Sequence, residues 1–168
     1  MEFFDVIKNR YSCRKFTAEK VSDEKLEQIL TAAQKAPTAK NLQPVKVWVL
    51  KSNDALEKIR TATPCHFNAP VIIAVGGKSD EAFVRPSDGR NFEDIDACIV
   101  AAHIMLAVEA VGLGTTWVGM FDAPKVKELF PEMKDYDLVA LFPVGCKNAE
   151  PSERHFVRKS IDVLCRSL

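Results

Sequence analysis

The stretch that most restricts what this chain can become runs from Phe92 to Val111. Ile95, Cys98, Ile99, Ala102, Leu106 and Val108 to Ala110 recur at helical spacing and leave few faces polar. Its least polar part, Ala97 to Val108, is twelve residues long and contains His103, whereas a helix crossing a bilayer needs about 20. The helix must therefore be covered by protein, either centrally in the fold or at a subunit interface. Gly112-Leu-Gly114 stops it.

Shorter elements surround this helix. Phe3 to Asn9 reads as a short helix, and Ser22 caps a second one whose stripe is Leu26, Ile29, Leu30 and Ala33, closed off by Pro37. Val45, Val47 and Val49 alternate with Lys46 and Trp48 as a strand does. Asn53 to Ala62 is expected as a helix capped by Ser52 or Asn53. Val71 to Val75 is expected as a buried strand ending at Gly76-Gly77, and 76–90 as a polar loop. Thr115 to Val118 reads as a short strand, Ala123 to Phe130 as a helix capped by Asp122, and Asp137 to Val144 as a further strand. The charged tail carries Arg154, Arg158, Lys159 and Arg166. Helices and strands mixed in this way give an α/β or α+β chain. With 168 residues, one domain covering 1–168 is expected.

Charge excludes some partners. The 23 Lys+Arg balance 23 Asp+Glu, so nothing favours nucleic acid or an anionic membrane. Five dispersed cysteines without a Cys-x-x-Cys, and a start lacking the features of a secretion signal, point to the reducing cytoplasm. The three histidines show no metal-ligand spacing, and no phosphate-loop motif is present. Gly112-Leu-Gly114 is not a dinucleotide fingerprint, because Trp117 stands where the third glycine belongs.

Two polar segments carry candidate chemistry. Arg10-Tyr-Ser-Cys-Arg14 places two guanidinium groups and a hydroxyl where they can surround one phosphate, or can form a solvated helix end with ion pairs. Pro37-Thr-Ala-Lys-Asn-Leu-Gln-Pro44 offers Thr38, Asn41 and Gln43 to the edge of a planar heterocycle, or is a plain turn between helix and strand. Adjacent Cys65 and His66 raise a thiol–imidazole pair as a further reading, although consecutive side chains rarely face each other.

Taken in order, these segments resemble the nitroreductase-like flavoprotein family. The resemblance rests on Arg10-x-Ser-x-Arg14-x-Phe16, Ala36-Pro-Thr-Ala-Lys-Asn41-x-Gln43-Pro44, and Asn68-Ala-Pro70 before the Val71 strand. It continues in Ala107-x-x-Ala-x-Gly112-Leu-Gly-Thr-x-Trp117-Val-Gly119, in Val144-Gly145, and in Arg158-Lys159 ahead of Ile161. It implies an α+β sandwich, a mostly antiparallel central sheet flanked by helices, in an intertwined homodimer with FMN pockets at the subunit interface. It implies that Arg10, Tyr11, Ser12 and Arg14, with Arg158 and Lys159, bind the FMN phosphate and ribityl chain. Pro37, Thr38, Ala39, Asn41 and Gln43 would reach the flavin from the partner subunit, and Trp117, Val118, Gly119 and Met120 would lie along its ring. The implied activity is ping-pong transfer of hydride from NADH or NADPH through flavin N5 to a small electron-poor acceptor of nitroaromatic, quinone or enone type. No metal and no catalytic acid or base is required. A flavin-storing or redox-sensing protein is the alternative, and a flavin-independent thiol enzyme using Cys65 or Cys13 a third. Lys40, Met120 and Cys146 depart from the family's usual residues, and the basic residues Lys78, Arg85 and Arg90 of the 76–90 loop can meet a nicotinamide cofactor's phosphates or simply be solvated.

Overall fold

A computed structural model describes residues 2–168. Helix α1 is Phe3–Asn9 and α2 is Asp23–Gln34. The Ser22 side chain accepts from the Lys25 N–H at the start of α2, and Leu26, Ile29 and Ala33 are buried beneath it. Leu30, expected in the same stripe, stays at the surface. Ser22→Ala should cost about 1 kcal/mol of stability, read as a lower urea midpoint; an unchanged midpoint would show the cap to be replaceable by water.

Strand β1 is Val45–Leu50, helix α3 is Asn53–Arg60 capped by Ser52, and strand β2 is Val71–Gly77. Helix α4 is Glu93–Ala110, strand β3 is Gly114–Thr115, helix α5 is Ala123–Leu129, and strand β4 is Asp137–Gly145. A final turn of helix, α6, is Ile161–Leu164. The four strands form one sheet in the order β1-β2-β4-β3, every ladder antiparallel. The result is α+β, as expected.

Pleating assigns the two faces of the sheet. Val71, Ile73 and Val75 of β2 point to one side, where Leu26, Ile29, Ala33 and the α4 residues Ala97, Val100, Ala101, Ile104 and Val108 cover them. Ile72 and Ala74 point to the other, against Leu56 and Ile59 of α3 and Val126 of α5. Helix α4 is thus central on one face, and Gly112 at φ +77 turns the chain out of it.

Two expectations change. Strand β2 does not end before its glycines: Gly77 pairs with Val45 on one side and Asp137 on the other. A methyl group there would stand 2.7 Å from the Glu93 carbonyl oxygen, so glycine lets the strand pass beneath the start of α4. The strand expected over Thr115 to Val118 pairs only at Gly114–Thr115, with Val118 meeting Leu141 as an isolated bridge. No helix of the described residues is long and apolar enough to cross a membrane.

Candidate functional site

The N-terminal segment leaves α1 at Arg10 and runs extended along β3. Ser12 forms a parallel bridge with Thr115, and the Cys13 N–H donates to the Thr115 carbonyl at 2.9 Å. Alternation along this segment buries Tyr11 and Cys13 and turns Ser12 and Arg14 outward. The Tyr11 hydroxyl donates to the Ala149 carbonyl and so ties the C-terminal segment to the N-terminal one. Burial, then the neighbouring Cys13 thiol, push the Tyr11 phenol up to about 12. It therefore stays neutral and keeps donating.

The joining of the two ends creates a cavity of about 350 Å³ lined by Arg10, Tyr11, Ser12, Arg14, Ser152, Arg154, His155 and Arg158. Four guanidinium groups and no carboxylate face it. Arg10 is held below its usual pKa, first by burial and then by the charge of Arg158. Such a set suits a dianion accepting several forked hydrogen bonds. Arg10, Tyr11, Ser12, Arg14 and Arg158, all expected from the sequence, therefore come together. Lys159 is exposed and does not line the cavity. Ser152, Arg154 and His155 were not anticipated at the site; the density of basic residues in the tail was the available signal.

Beside the cavity lies an ion pair between a buried carboxylate and a partly exposed lysine. The Lys147 ammonium donates to both Glu109 carboxylate oxygens at 2.7 Å and sits 5.2 Å from the centroid of the Tyr11 ring.

Two residues beyond the Ser12–Thr115 bridge, the chain reaches 117–120. The Trp117 ring packs edge-on against Phe142 at 5.3 Å and remains partly exposed, while Met120 is 67% exposed. A β-carbon built on Gly119 would meet nothing within 4 Å. Val118 lies in the same segment between these open positions. Its side chain is buried, and its N–H and C=O both bond Leu141, at 2.9 and 3.0 Å, because the extended backbone turns alternate residues inward.

The 37–44 loop is a tight, strained turn. Lys40, Asn41 and Gln43 have φ of 53, 55 and 56. Thr38 accepts from the Gln43 N–H through its hydroxyl at 3.0 Å and from the Asn41 N–H through its carbonyl at 2.9 Å. The Ala39 N–H donates to Asp96 Oδ1 at 2.8 Å. Pro37 and Asn41 are exposed. The Lys40 ammonium lies 4.7 Å from the Phe83 ring centroid, so within its own chain it is occupied with that ring. Asp96 was missed from the sequence, although an acidic residue beside the apolar run was visible.

Other candidates dissolve. Lys78 pairs with Asp80 and Glu81, Arg85 with Asp88, and Arg90 with Asp94, so the cations of the 76–90 segment are neutralised locally. His66 Nδ1 accepts from the Asn68 N–H at 3.0 Å, and burial, then Arg60, lower its pKa. The buried Cys13 thiol donates to the Lys15 carbonyl. Neither cysteine has the base partner that a thiol nucleophile needs. Among the described residues no group of His, Cys, Asp and Glu could hold a metal ion.

Known proteins resemble this chain in sequence and fold. A crystal structure of a nitroreductase family protein from Clostridium difficile 630 is 33% identical, with a TM-score of 0.92 over 99% of this chain and 98% of that one. A Methanothermobacter thermautotrophicus protein with the provisional name NADH dehydrogenase/NAD(P)H nitroreductase is 28% identical over 161 residues, 92% of this chain and 82% of its own length. The FMN reductase [NAD(P)H] of Bacillus subtilis is 29% identical over 124 residues, 64% of this chain and 50% of its own. The family model described as Nitroreductase family matches residues 7–67 and 63–146, which span the arginine segment, the strained loop and 117–120. With those elements in that order on that fold, the chain belongs to the nitroreductase family.

Proposed function

We propose that this protein is an FMN-dependent NAD(P)H oxidoreductase, its residues 1–168 acting as one flavin-binding domain in a homodimer. The observation that carries the reading is the carboxylate-free cavity where Arg10, Arg14, Arg154 and Arg158 converge. FMN, when bound, supplies the hydride-accepting and hydride-donating centre that no side chain offers. Arg10, Arg14, Arg154 and Arg158 would pair with its phosphate, and Ser12 would add a neutral donor. Trp117, Gly119 and Met120 continue from the cavity along the same edge and give the ring an open, largely apolar wall. NADH or NADPH and an electron-poor acceptor (a nitroaromatic, quinone or enone) would occupy that wall in turn. No side chain is assigned as acid or base.

The position of the loop supports a site shared by two copies. Asp96, which holds the loop, and Glu109, beside the arginine cavity, stand near opposite ends of α4, about 20 Å apart at the helical rise of ~1.5 Å per residue. One chain's loop therefore lies most of a helix length from its own arginines, consistent with loop residues 37–43 serving the partner's flavin. Ile95, Ile99, Ala102 and Leu106 form a second apolar face of α4 that this chain covers only in part, and the tail exposes Phe156, Val157, Ile161, Val163 and Leu164. These surfaces suit an interleaved dimer. Five free cysteines fit the cytoplasm as its compartment.

Loading with FMN, desalting, and adding NADH or NADPH without oxygen tests the reading. A retained flavin band that bleaches is expected; a retained band that does not bleach would mark a flavin store. Arg14→Ala should weaken FMN binding roughly tenfold or more, since a hydrogen bond to a charged group contributes about 1.5–3 kcal/mol. Riboflavin affinity should hold, as should FMN affinity in Lys51→Ala, where the lost ion pair to Asp23 is exposed. Equal FMN affinity in the two variants would sink the phosphate assignment.

A further inference from the structure

Asp96 is the fourth residue of α4 and is 1% exposed. Its Oδ1 accepts the Ala39 N–H, while its Oδ2 is buried without a partner. A carboxylate with an orphan oxygen in an apolar setting is unfavourable for folding, and the positive end of α4 offsets only part of that. Its apolar neighbours along the helix, Ala97 and Val100, are buried in the core and do not call for a charge.

The carboxylate grips the middle of a loop otherwise attached only near its ends and surface, by the Lys78 N–H to the Pro44 carbonyl at 2.8 Å and by Lys40 against the Phe83 ring. Three non-glycine residues, Lys40, Asn41 and Gln43, have left-handed backbone, a conformation kept only where the surroundings enforce it. The bonds through Thr38, and the Leu42 N–H to the Ala39 carbonyl, lie within the turn and shape it without attaching it. The Ala39–Asp96 bond ties the turn to the helix layer.

We propose that Asp96 is a positioning residue for the flavin: by holding Ala39 it keeps the Thr38–Gln43 turn in the shape that meets the isoalloxazine ring. The inference rests on the FMN reading above and assigns a role to a side chain that touches neither ring nor phosphate. It separates two functions within the chain, with the arginines selecting the phosphate and the Asp96-held loop selecting the ring.

The test compares wild type, Asp96→Ala and Asp96→Asn by fluorescence titration with FMN and with riboflavin, by thermal unfolding, and by hydrogen exchange at the Ala39 amide of flavin-free protein. Asp96→Ala should weaken FMN and riboflavin alike, by roughly tenfold or more, because the lost bond was charge-assisted. The FMN-to-riboflavin ratio should stay constant. The melting point should match or exceed that of wild type, since a buried charge has been removed. Asp96→Asn keeps an oxygen for Ala39 and should bind within about threefold of wild type. The Ala39 amide should exchange quickly in Asp96→Ala only. Wild-type affinity in Asp96→Ala, or a loss that follows a lowered melting point and is not rescued by Asn, would overturn the proposal. Failure of wild type itself to bind FMN would overturn the flavin reading, and Ala39 exchange would still decide whether Asp96 anchors the loop. If Asp96→Ala does not fold, Ala39→Pro removes the donor instead. Thr38 is already extended at φ −130 and ψ 159, as a residue before proline must be. The same affinity loss is then expected, and wild-type affinity would overturn the proposal.

Discussion

Ending the chain at Glu150 should leave a folded protein that has lost its flavin and, in the proposed dimer, its partner. Both buried clusters lie within residues 26–144, and the Ala149 carbonyl that receives the Tyr11 hydroxyl is retained. What the truncation removes is Arg154 and Arg158, half of the guanidinium groups at the cavity, and the exposed apolar side chains of the tail. Each large apolar side chain contributes about 1.5–3 kcal/mol when fully buried, so losing several removes enough association energy to dissociate a dimer at micromolar concentration. FMN affinity should fall by at least roughly a hundredfold, from two lost charge-assisted contacts. Sedimentation and flavin fluorescence measure both effects. A truncated dimer binding FMN as wild type does would overturn the tail's role.

The second large effect lies beside the cavity. Lys147→Met should destabilise the protein by about 3 kcal/mol, the low end for breaking a buried ion pair, because the lysine side chain retains 27% exposure. The loss arises from Glu109, only 4% exposed, whose two oxygens would lose the ammonium that donates to both, leaving Arg10 as the remaining positive charge near it. Glu109→Leu combined with Lys147→Met should recover most of the loss, since two apolar groups replace two desolvated charges. Urea unfolding of the single and double variants distinguishes this from simple loss of packing. A single variant within about 1 kcal/mol of wild type would show that Glu109 reaches solvent or another donor.

Local chemistry explains what could be read from the sequence. Ser22, Ser52 and Asp122 cap the helices expected of them, because a cap is a contact between residues three apart. The β-branched run at Val71 and the apolar helix at 93–110 were legible for a similar reason: burial on a strand or helix leaves a periodic trace. Leu30 fits its stripe and still lies at the surface, because nothing in periodicity says how far a neighbouring layer extends. Gly76 and Gly77 read as a strand end, yet they are strand because two neighbouring strands and a helix start crowd them. Of the cavity, the Arg10–Arg14 half was visible as a short cluster. Ser152, Arg154 and His155 arrive through a Tyr11–Ala149 contact between residues far apart in the chain. Asp96 was hidden for the same reason, since its partner Ala39 belongs to another element and contributes only a backbone amide.

The close passage of β2 under α4 has a consequence for that amide. Gly77 lies so near the Glu93 carbonyl that its missing side chain acts as a spacer of zero thickness, setting how low the first turn of α4 rides on the sheet. Asp96 sits in the next positions of that turn, so the height set at Gly77 also fixes the reach of its carboxylate to Ala39. A methyl group on Gly77, beneath the helix, should thus be felt as a longer reach from Asp96 to the Ala39 amide.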